Sequence, residues 1–281
     1  MLDVIEDTLI DTVKLLPFLF IAYLIIELIE KKAGDKTTHM IKKSGKFGPI
    51  LGGILGIVPQ CGFSVAAANL YAGRIITIGT LIAIFLSTSD EMLPILISTA
   101  VPAKTIAKIL LIKVLIAIIV GIFVDLIFRK KVSGETKKEI HKICDEEHCH
   151  CEENGVVISS IKHTIQIFIY ILIISLLLNT AIHFIGEDKI AEIILNVPIL
   201  GPVISTLVGL VPNCASSVIL TELYLENIIT MGSMIAGLLV NSGIGILVLF
   251  RVNKERKENF TILGILCLIG IISGIILDIF M

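Results

Sequence analysis

Six long runs of mostly apolar residues dominate the sequence, at about 13–30, 75–97, 105–128, 162–185, 228–250 and 261–281. A run of about 18 or more such residues is long enough to cross the hydrocarbon core of a bilayer as an α-helix. Only 17% of the residues are charged, whereas a soluble domain carries about a quarter. We therefore predict an all-α, polytopic membrane protein, because no soluble fold could cover this many apolar helices.

The charged residues between the apolar runs are sorted by sign. Lysine and arginine crowd the segments 31–46, 129–142 and 251–257, whereas the N-terminus and the segments 186–192 and 222–226 are acidic. Loops on the cytoplasmic side of a membrane carry an excess of Lys and Arg. We therefore expect the three basic segments to lie in the cytoplasm and the protein to span the cell's plasma membrane.

The sequence repeats itself. Residues 48–89 match residues 201–242 at a constant offset of 153, and 18 of the 42 aligned pairs are identical. The identical pairs include proline, cysteine, glycine and tyrosine, which chance matching of two apolar segments would not align. We infer an internal duplication with two structural repeats.

The charges indicate that the two repeats have opposite orientations. The run 13–30 leads from an acidic to a basic segment, whereas its counterpart 162–185 leads from a basic to an acidic one. Inverted repeats need an odd number of crossings each. This holds if 47–73 and 200–227 enter the membrane, turn and return as re-entrant hairpins; full-length helices broken in the middle are the alternative.

The predicted fold is thus two inverted-topology repeats, each with three transmembrane helices and one re-entrant, broken helical hairpin. We place transmembrane repeat 1 at 1–128, a cytoplasmic His/Cys-rich loop at 129–161 and transmembrane repeat 2 at 162–281.

The motifs VPQCGFSV at 58–65 and VPNCASSV at 211–218 mark the turns of the two segments. Proline breaks a helix, and the freed backbone groups are tolerated only within protein or around a polar cavity. Two such breaks near the midplane are the usual setting of a transport site. Thiols at helix N-termini ionise readily, so Cys61 and Cys214 are candidate metal ligands. The predicted site contains Gln60, Cys61, Ser64, Asn213, Cys214 and Ser217. A kinked, packed helix with two buried cysteines is the alternative.

A second polar interruption, STSDE at 87–91, lies inside an apolar run. Carboxylates inside a membrane are costly and mark function by default. Asp90 and Glu91 could supply oxygen ligands to a divalent cation or carry a proton. We add Ser89 and the register partners Asn241 and Ser242 to the predicted site. The alternative places Asp90 and Glu91 in an outer loop.

The central loop contains HKICDEEHCHCEE at 141–153. Thiolate and imidazole ligands suit zinc, copper(I) and cadmium, and disulfides are not expected in the cytosol. We predict a flexible cytoplasmic metal-capture tract, which favours export or sensing of metal over uptake. Its ligands are His141, Cys144, His148, Cys149, His150 and Cys151.

The segments PQCGFSVAAANLYAGR, IAIFLSTSDEMLPI and VPNCASSVILTELY resemble the ten-helix heavy-metal exporter family, whose members are also described as arsenic efflux or manganese transporter-like permeases. The resemblance spans about 45–102 and 198–245. If each hairpin counts as two helices, the chain has the ten helices of that family. The resemblance implies export of a metal or metalloid.

From these observations we predict a secondary transporter, not an enzyme, that exports a divalent transition metal such as manganese, zinc or cadmium by alternating access. The transported ion is its substrate, a coupled proton is a candidate partner, and neither a permanently bound cofactor nor a nucleic-acid partner is expected. Arsenite efflux is the first alternative, although arsenite favours three thiolates over two. A membrane thiol-redox protein and a metal sensor without transport are further alternatives.

Overall fold

The computed structural model describes residues 47–57, 61–89, 92–128, 156–185 and 201–280, together with 8–10, 12–13, 16–17, 20–21 and 23–24. Every regular element within these ranges is an α-helix. The described residues from 47 onward form eleven helices, which are α1 Gly48–Leu55, α2 Cys61–Ala72, α3 Ile78–Ser87, α4 Met92–Ser98, α5 Ala103–Phe128, α6 Val156–Ile185, α7 Gly201–Gly209, α8 Cys214–Leu225, α9 Met231–Val240, α10 Gly245–Val252 and α11 Arg256–Phe280.

Four stretches of helix are long and apolar enough to cross a membrane: Ile78–Ser98, Ala103–Phe128, Met231–Val252 and Arg256–Phe280. They coincide with four of the six predicted runs, and the described part of the chain is that of an all-helical, polytopic membrane protein. The fifth run corresponds to α6, which begins earlier than predicted because Val156, Val157 and Ile158 extend the apolar pattern into the predicted loop. The sixth, 13–30, is described only in part.

The helix bounds recur at the offset that relates the two sequence repeats. Helices α2 and α8, and likewise α3 and α9, begin and end at residues 153 positions apart. The correspondence continues beyond the matched segments 48–89 and 201–242 into α5 and α11, where Gly121 pairs with Gly274 and Asp125 with Asp278.

Two of the four crossings are interrupted. Helix α3 ends at Ser87 before α4 begins at Met92, and α9 ends at Val240 before α10 begins at Gly245. The 10 residues of α3 and of α9 extend about 15 Å at 1.5 Å per residue, roughly half of a hydrocarbon core. The sequence predicted polar interruptions at these places but not that the helices stop. Both interrupted crossings are mostly buried, whereas α5 and α11 are mostly exposed.

Close backbone approach holds each half together. Helix α3 packs against α1 and α5, and α9 packs against α7 and α11. A side chain at Gly79 would collide with the carbonyl of Gly121, and one at Gly232 would collide with the carbonyl of Gly274. Small residues allow membrane helices to approach this closely without a hydrophobic driving force.

Two aspartates bind the N-terminal N–H groups of the helices that begin the interrupted crossings. Asp125 accepts hydrogen bonds from the Gly79 backbone N–H at 2.8 Å and the Thr77 hydroxyl at 2.6 Å. Asp278 accepts from the Gly232 N–H at 3.0 Å. The first N–H groups of a helix have no partner within the helix and carry positive partial charge. A carboxylate from the neighbouring long helix therefore stabilises the first turn of both α3 and α9.

The short arms before the two motifs run alongside the interrupted crossings. Gly48 faces Thr80 and Gly56 faces Ser87, so α1 and α3 lie side by side and run in the same direction. In the second half, Gly201 faces Ser233 and Gly209 contacts the backbone of α9. Each arm therefore leads from the start of its crossing towards the interruption.

The two halves interlock. Helix α2 packs against α10, α4 packs against α8, and α3 contacts α9. At the end of α2, the Arg74 guanidinium forms an ion pair with Glu258 at the start of α11, at 2.8 Å. The Tyr71 hydroxyl donates to the same carboxylate oxygen at 3.0 Å. Helix α2, which begins at the first motif, is thus fixed mainly by contacts with the opposite half, whereas α8, which begins at the second motif, packs against α9 and α7 of its own half as well as against α4.

We expect Gly232→Ala to destabilise the protein strongly, because the added methyl group would collide with the Gly274 carbonyl and the Asp278 carboxylate. Overpacking of this kind costs about 1–3 kcal/mol. Gly264→Ala in α11 is the matched control, since nothing lies within 4 Å of a Cβ there. That change should be neutral or stabilise by up to about 1 kcal/mol. Thermal unfolding in detergent distinguishes the two variants, and equal melting temperatures would contradict the packing described.

Candidate functional site

The interruption between α9 and α10 lies against both sequence motifs. The Asn241 side chain donates to the Ser216 hydroxyl at 3.0 Å, and Ser216 belongs to the second motif. On its other side, a side chain at Gly245 would collide with Ser64 of the first motif. The ends of four helices, α2, α8, α9 and α10, therefore meet in one buried polar region, which we call the polar centre.

The second motif forms the start of α8. The Asn213 side chain accepts a hydrogen bond from the Ala215 N–H at 3.3 Å, as an N-cap residue does. The Ser216 hydroxyl donates to the Asn213 carbonyl at 2.7 Å. Pro212 precedes this cap, where its missing N–H costs nothing. The polar residues after the proline thus cap the N-terminus of α8. Ser216 and Ser217 are both buried.

The chain turns sharply after α9. Gly243 has a φ of 54°, a left-handed conformation that glycine adopts without strain. The Gly243 N–H donates to the Asn241 side chain at 2.9 Å, which holds the turn. Between them, the Ser242 hydroxyl is buried and has no hydrogen-bond partner within the described part of the chain. Such a group is unusual, because leaving it unbonded costs about 1–3 kcal/mol.

The interruption after α3 is also buried. The Thr88 hydroxyl donates to the Ile84 carbonyl at 2.7 Å, and the Ser89 hydroxyl donates to the Ser87 carbonyl at 3.1 Å. The Ile84 carbonyl also accepts from the Thr88 N–H, whereas the Ser89 hydroxyl meets a carbonyl in the last turn, where helix carbonyls lack partners within the helix. Thr88 and Ser89 are at most 2% exposed, so no part of this segment that is described lies in water.

A buried lysine links the two interruptions. Lys113 of α5 is 0% exposed, and its ammonium donates to the backbone carbonyls of Thr88 and, at 3.2 Å, of Leu238. The carbonyl of Leu238 lies in the last turn of α9. In a continuous helix the Ser242 N–H would donate to it, but here that N–H donates to the Val240 carbonyl at 2.9 Å. The ammonium therefore replaces a backbone donor that the interruption removes.

The sequence analysis missed Lys113, although the signal was available. An ionisable side chain within a predicted crossing is a functional candidate by default, and Lys113 lies in the middle of the run 105–128. Asp125 and Asp278 were missed as well. Continuing the alignment at the offset of 153 would have paired those two aspartates.

The predicted site residues that are described lie at these helix ends. Ser64, Ser217, Ser89, Asn241 and Ser242 are buried, and Asn213 caps α8. The contacts join Asn241 to the second motif and Gly245 to the first. Cys61 and Cys214 are the first residues of α2 and α8.

Other predicted residues fall outside what the structure describes. These are Gln60, Asp90, Glu91, the side chains of Cys61 and Cys214, and the loop residues His141, Cys144, His148, Cys149, His150 and Cys151. Within the described ranges, no three His, Cys, Asp or Glu side chains form a group that could hold a metal ion. The described part of the polar centre thus presents hydroxyl and amide groups, and the Lys113 ammonium donates to one backbone carbonyl at each interruption.

A family described as "Putative, 10TM heavy-metal exporter" matches residues 1–189 of the chain. The match covers the first sequence repeat and the central loop. No curated protein and no solved structure matches the chain.

Two buried serines of the polar centre should respond differently to the same substitution. Ser216→Ala removes bonds to Asn213 and Asn241, so we expect the free energy of unfolding to fall by about 1–3 kcal/mol. Ser242→Ala removes a hydroxyl without a partner in the described structure, so we expect no loss. Thermal unfolding of the two purified variants tests this difference. A larger loss for Ser242→Ala would mean that its hydroxyl is already bonded.

Proposed function

Because the chain belongs to the ten-helix heavy-metal exporter family, we propose that it is a secondary transporter that carries a divalent transition-metal ion out of the cytoplasm. Manganese, zinc and cadmium are the candidate substrates. The observation that carries the proposal is the polar centre, in which the interruption between α9 and α10 meets the starts of α2 and α8, and which Lys113 links to the interruption after α3. Discontinuous helices whose ends meet near the midplane are the common setting of ion sites in secondary transporters.

The proposal includes inverted halves, and the Arg74–Glu258 ion pair supports this. Arg74 lies three residues before Thr77, the cap of α3, and therefore near the start of that crossing. Glu258 lies at the start of α11, whereas Asp278 at the other end of that helix closes the start of α9. The start of α3 thus lies beside the first residues of α11, whereas the start of α9 lies beside the last residues of α11. The two starts are therefore separated by the length of α11. Such an arrangement is expected when the two crossings run in opposite directions.

The proposal also includes re-entrant hairpins, each formed by a short arm and a motif helix. Helix α1 follows α3 from Thr80 to Ser87, towards the interruption. Helix α2 then leads from Cys61 to Ala72, close in sequence to the start of α3 at Ile78. A chain that enters and leaves beside the same helix start has turned back within the membrane. The corresponding short arm α7 and motif helix α8 support the same course in the second half.

We propose Cys61, Cys214, Asp90 and Glu91 as the ligands of the transported ion. The two cysteines begin the two motif helices, and the two carboxylates directly follow Thr88 and Ser89. Burial of Thr88 and Ser89 favours a position of these carboxylates inside the protein over an outer loop. Thiolates and carboxylates together suit borderline divalent ions such as zinc, and the carboxylates suit manganese.

Arsenite efflux is the second candidate, favoured by the pair of motif cysteines. It is less well supported because trivalent arsenic favours three thiolates, and the two motifs supply one cysteine each. In either case we propose that the His/Cys-rich loop lies in the cytoplasm and captures the ion before transport. A proton carried inward on Asp90 or Glu91 is the proposed counter-ion of alternating access.

The orientation of the halves can be tested at two equivalent lysines. Lys104 and Lys257 are exposed, 153 positions apart, and lie at the starts of α5 and α11. If the halves are inverted, a membrane-impermeant maleimide added to intact cells will label Lys104→Cys but not Lys257→Cys. After permeabilisation both should react. The unmodified chain provides the baseline, and labelling of both variants from outside would contradict the inversion.

The transport proposal is tested by the metal content of metal-sensitive host cells. Wild-type protein should lower the cellular content of one of manganese, iron, zinc, cadmium or arsenic, measured by elemental analysis. Cys61→Ser with Cys214→Ser, and Asp90→Asn with Glu91→Gln, should each lose most of this effect. Removing only a hydrogen-bond partner of a metal ligand weakens metal binding or activity by roughly 10–100-fold, so removing the ligands themselves should have at least this effect. Cys267→Ser, in α11 and outside the proposed site, is the matched control and should behave like wild type.

The same assay separates the alternatives. If no element changes in wild-type cells, or if both double variants retain export at equal expression, the transport proposal fails. If single changes at Cys61 or Cys214 abolish another activity while metal export persists, the thiol-redox alternative is favoured. If replacing the six loop ligands abolishes function and the motif cysteines are dispensable, the chain is a sensor.

A further inference from the structure

Lys113 places a cationic side chain in the interior of a membrane protein. It lies ten residues after the start of α5, which corresponds to about 15 Å along the helix and roughly half of a hydrocarbon core. Its side chain has no exposed surface. An ammonium in such a place is tolerated only where oxygen atoms replace its hydration shell.

The oxygen atoms that receive this ammonium belong to the two interruptions. Thr88 directly follows the last residue of α3, and Leu238 lies in the last turn of α9. Carbonyl groups at the C-terminal end of a helix carry negative partial charge. Two such ends converge on one nitrogen atom, with Asp90 and Glu91 next along the chain from Ser89. The ammonium therefore lies where carbonyl groups of two helix ends are placed to hold a cation.

The lysine is not a requirement of the repeated fold. Its equivalent in the second half, 153 positions later, is Leu266, which is also fully buried. The aspartate caps and the glycine contacts, in contrast, are present in both halves. One lysine from the first half thus serves carbonyl groups of both interruptions, and the second half contributes no ammonium at the equivalent position.

We propose that the Lys113 ammonium is a tethered occupant of the cation site, which leaves Thr88 and Leu238 when a metal ion binds. This inference rests on the proposed function and names what regulates affinity at that site. Two cations repel each other strongly at a few ångströms in a medium of low dielectric constant. The ammonium fills the empty site and weakens metal binding. Weak binding is useful, because an ion that is held too firmly cannot leave.

The experiment measures metal binding to the purified full-length protein in lipid nanodiscs. Isothermal titration calorimetry is carried out with manganese, zinc and cadmium chloride. Lys113→Met removes the competing charge, so its affinity should rise at least roughly tenfold for any metal that wild type binds. Lys113→Arg keeps the charge and should bind no more tightly than wild type. Lys108→Met, an exposed lysine on the same helix, is the matched control and should equal wild type.

A purely structural lysine would give the opposite result. In that case Lys113→Met would unfold at a lower temperature and bind metal equally or more weakly. Lys113→Gln keeps hydrogen-bond donors without the charge, and it serves if the methionine variant does not fold. The rise in melting temperature on adding metal should be larger for the neutral variants than for wild type.

The outcomes distinguish the two proposals. If wild type binds a metal and neither neutral variant binds it more tightly, the tethered-cation inference is overturned and the exporter proposal stands. If neither wild type nor any folded variant binds these metals, divalent-metal transport is itself contradicted, and this inference falls with it.

Discussion

A polypeptide backbone in a membrane must bond its own N–H and C=O groups, because lipid offers no partner. The helices of this protein are interrupted within its crossings, and side chains form hydrogen bonds with the backbone groups that the interruptions leave without a partner. Asp125 and Asp278 receive the first N–H groups of α3 and α9, Asn213 receives one of α8, and Lys113 donates to carbonyls at the ends of α3 and α9. Interrupted helices can be supplied in this way only in the interior. Accordingly, the continuous helices α5 and α11 are the ones that face outward.

The same demand explains why the halves interlock. Ser64 of the first motif packs on Gly245 in the interrupted crossing of the opposite half, and Ser216 of the second motif bonds Asn241 at the interruption of its own half. The polar groups freed by one interruption are thus neighbours of those freed by another. Burial of Thr88, Ser89, Asn241 and Ser242 concentrates these groups in one region instead of spreading them over the surface.

Much of this fold could be predicted from the sequence, because the same pattern of residues occurs in both halves. The offset of 153 anticipates the paired bounds of α2 with α8, and long apolar runs anticipate the four crossings. The candidate site was predicted as two motifs and a polar interruption, and the contact of Asn241 with Ser216 joins two of those parts. The interruption itself was recognised only as polar sequence, since hydropathy does not tell where a helix stops.

What the sequence could not supply are contacts between residues that share no pattern. Arg74 meets Glu258 across 184 positions, and their repeat equivalents, Asn227 and Thr105, carry no charge. The position of Lys113 in an apolar run marks it as a candidate, but the carbonyl groups that it meets depend on the packing of α3 and α9. Tertiary geometry decides in both cases.

The unequal pairs have a consequence for how an ion would experience the two faces of the membrane. A carrier built from two identical inverted halves would present the same path from either side, and an ion would half-saturate it at the same concentration from both. Here Lys113 is matched by Leu266, and the Arg74–Glu258 pair has no counterpart. In a carrier that works by alternating access, as proposed for this protein, these departures would give the two openings different energies. In the proposed carrier, the two faces would therefore differ in apparent affinity for the ion, while the gradients across the membrane alone would set the direction of net flow.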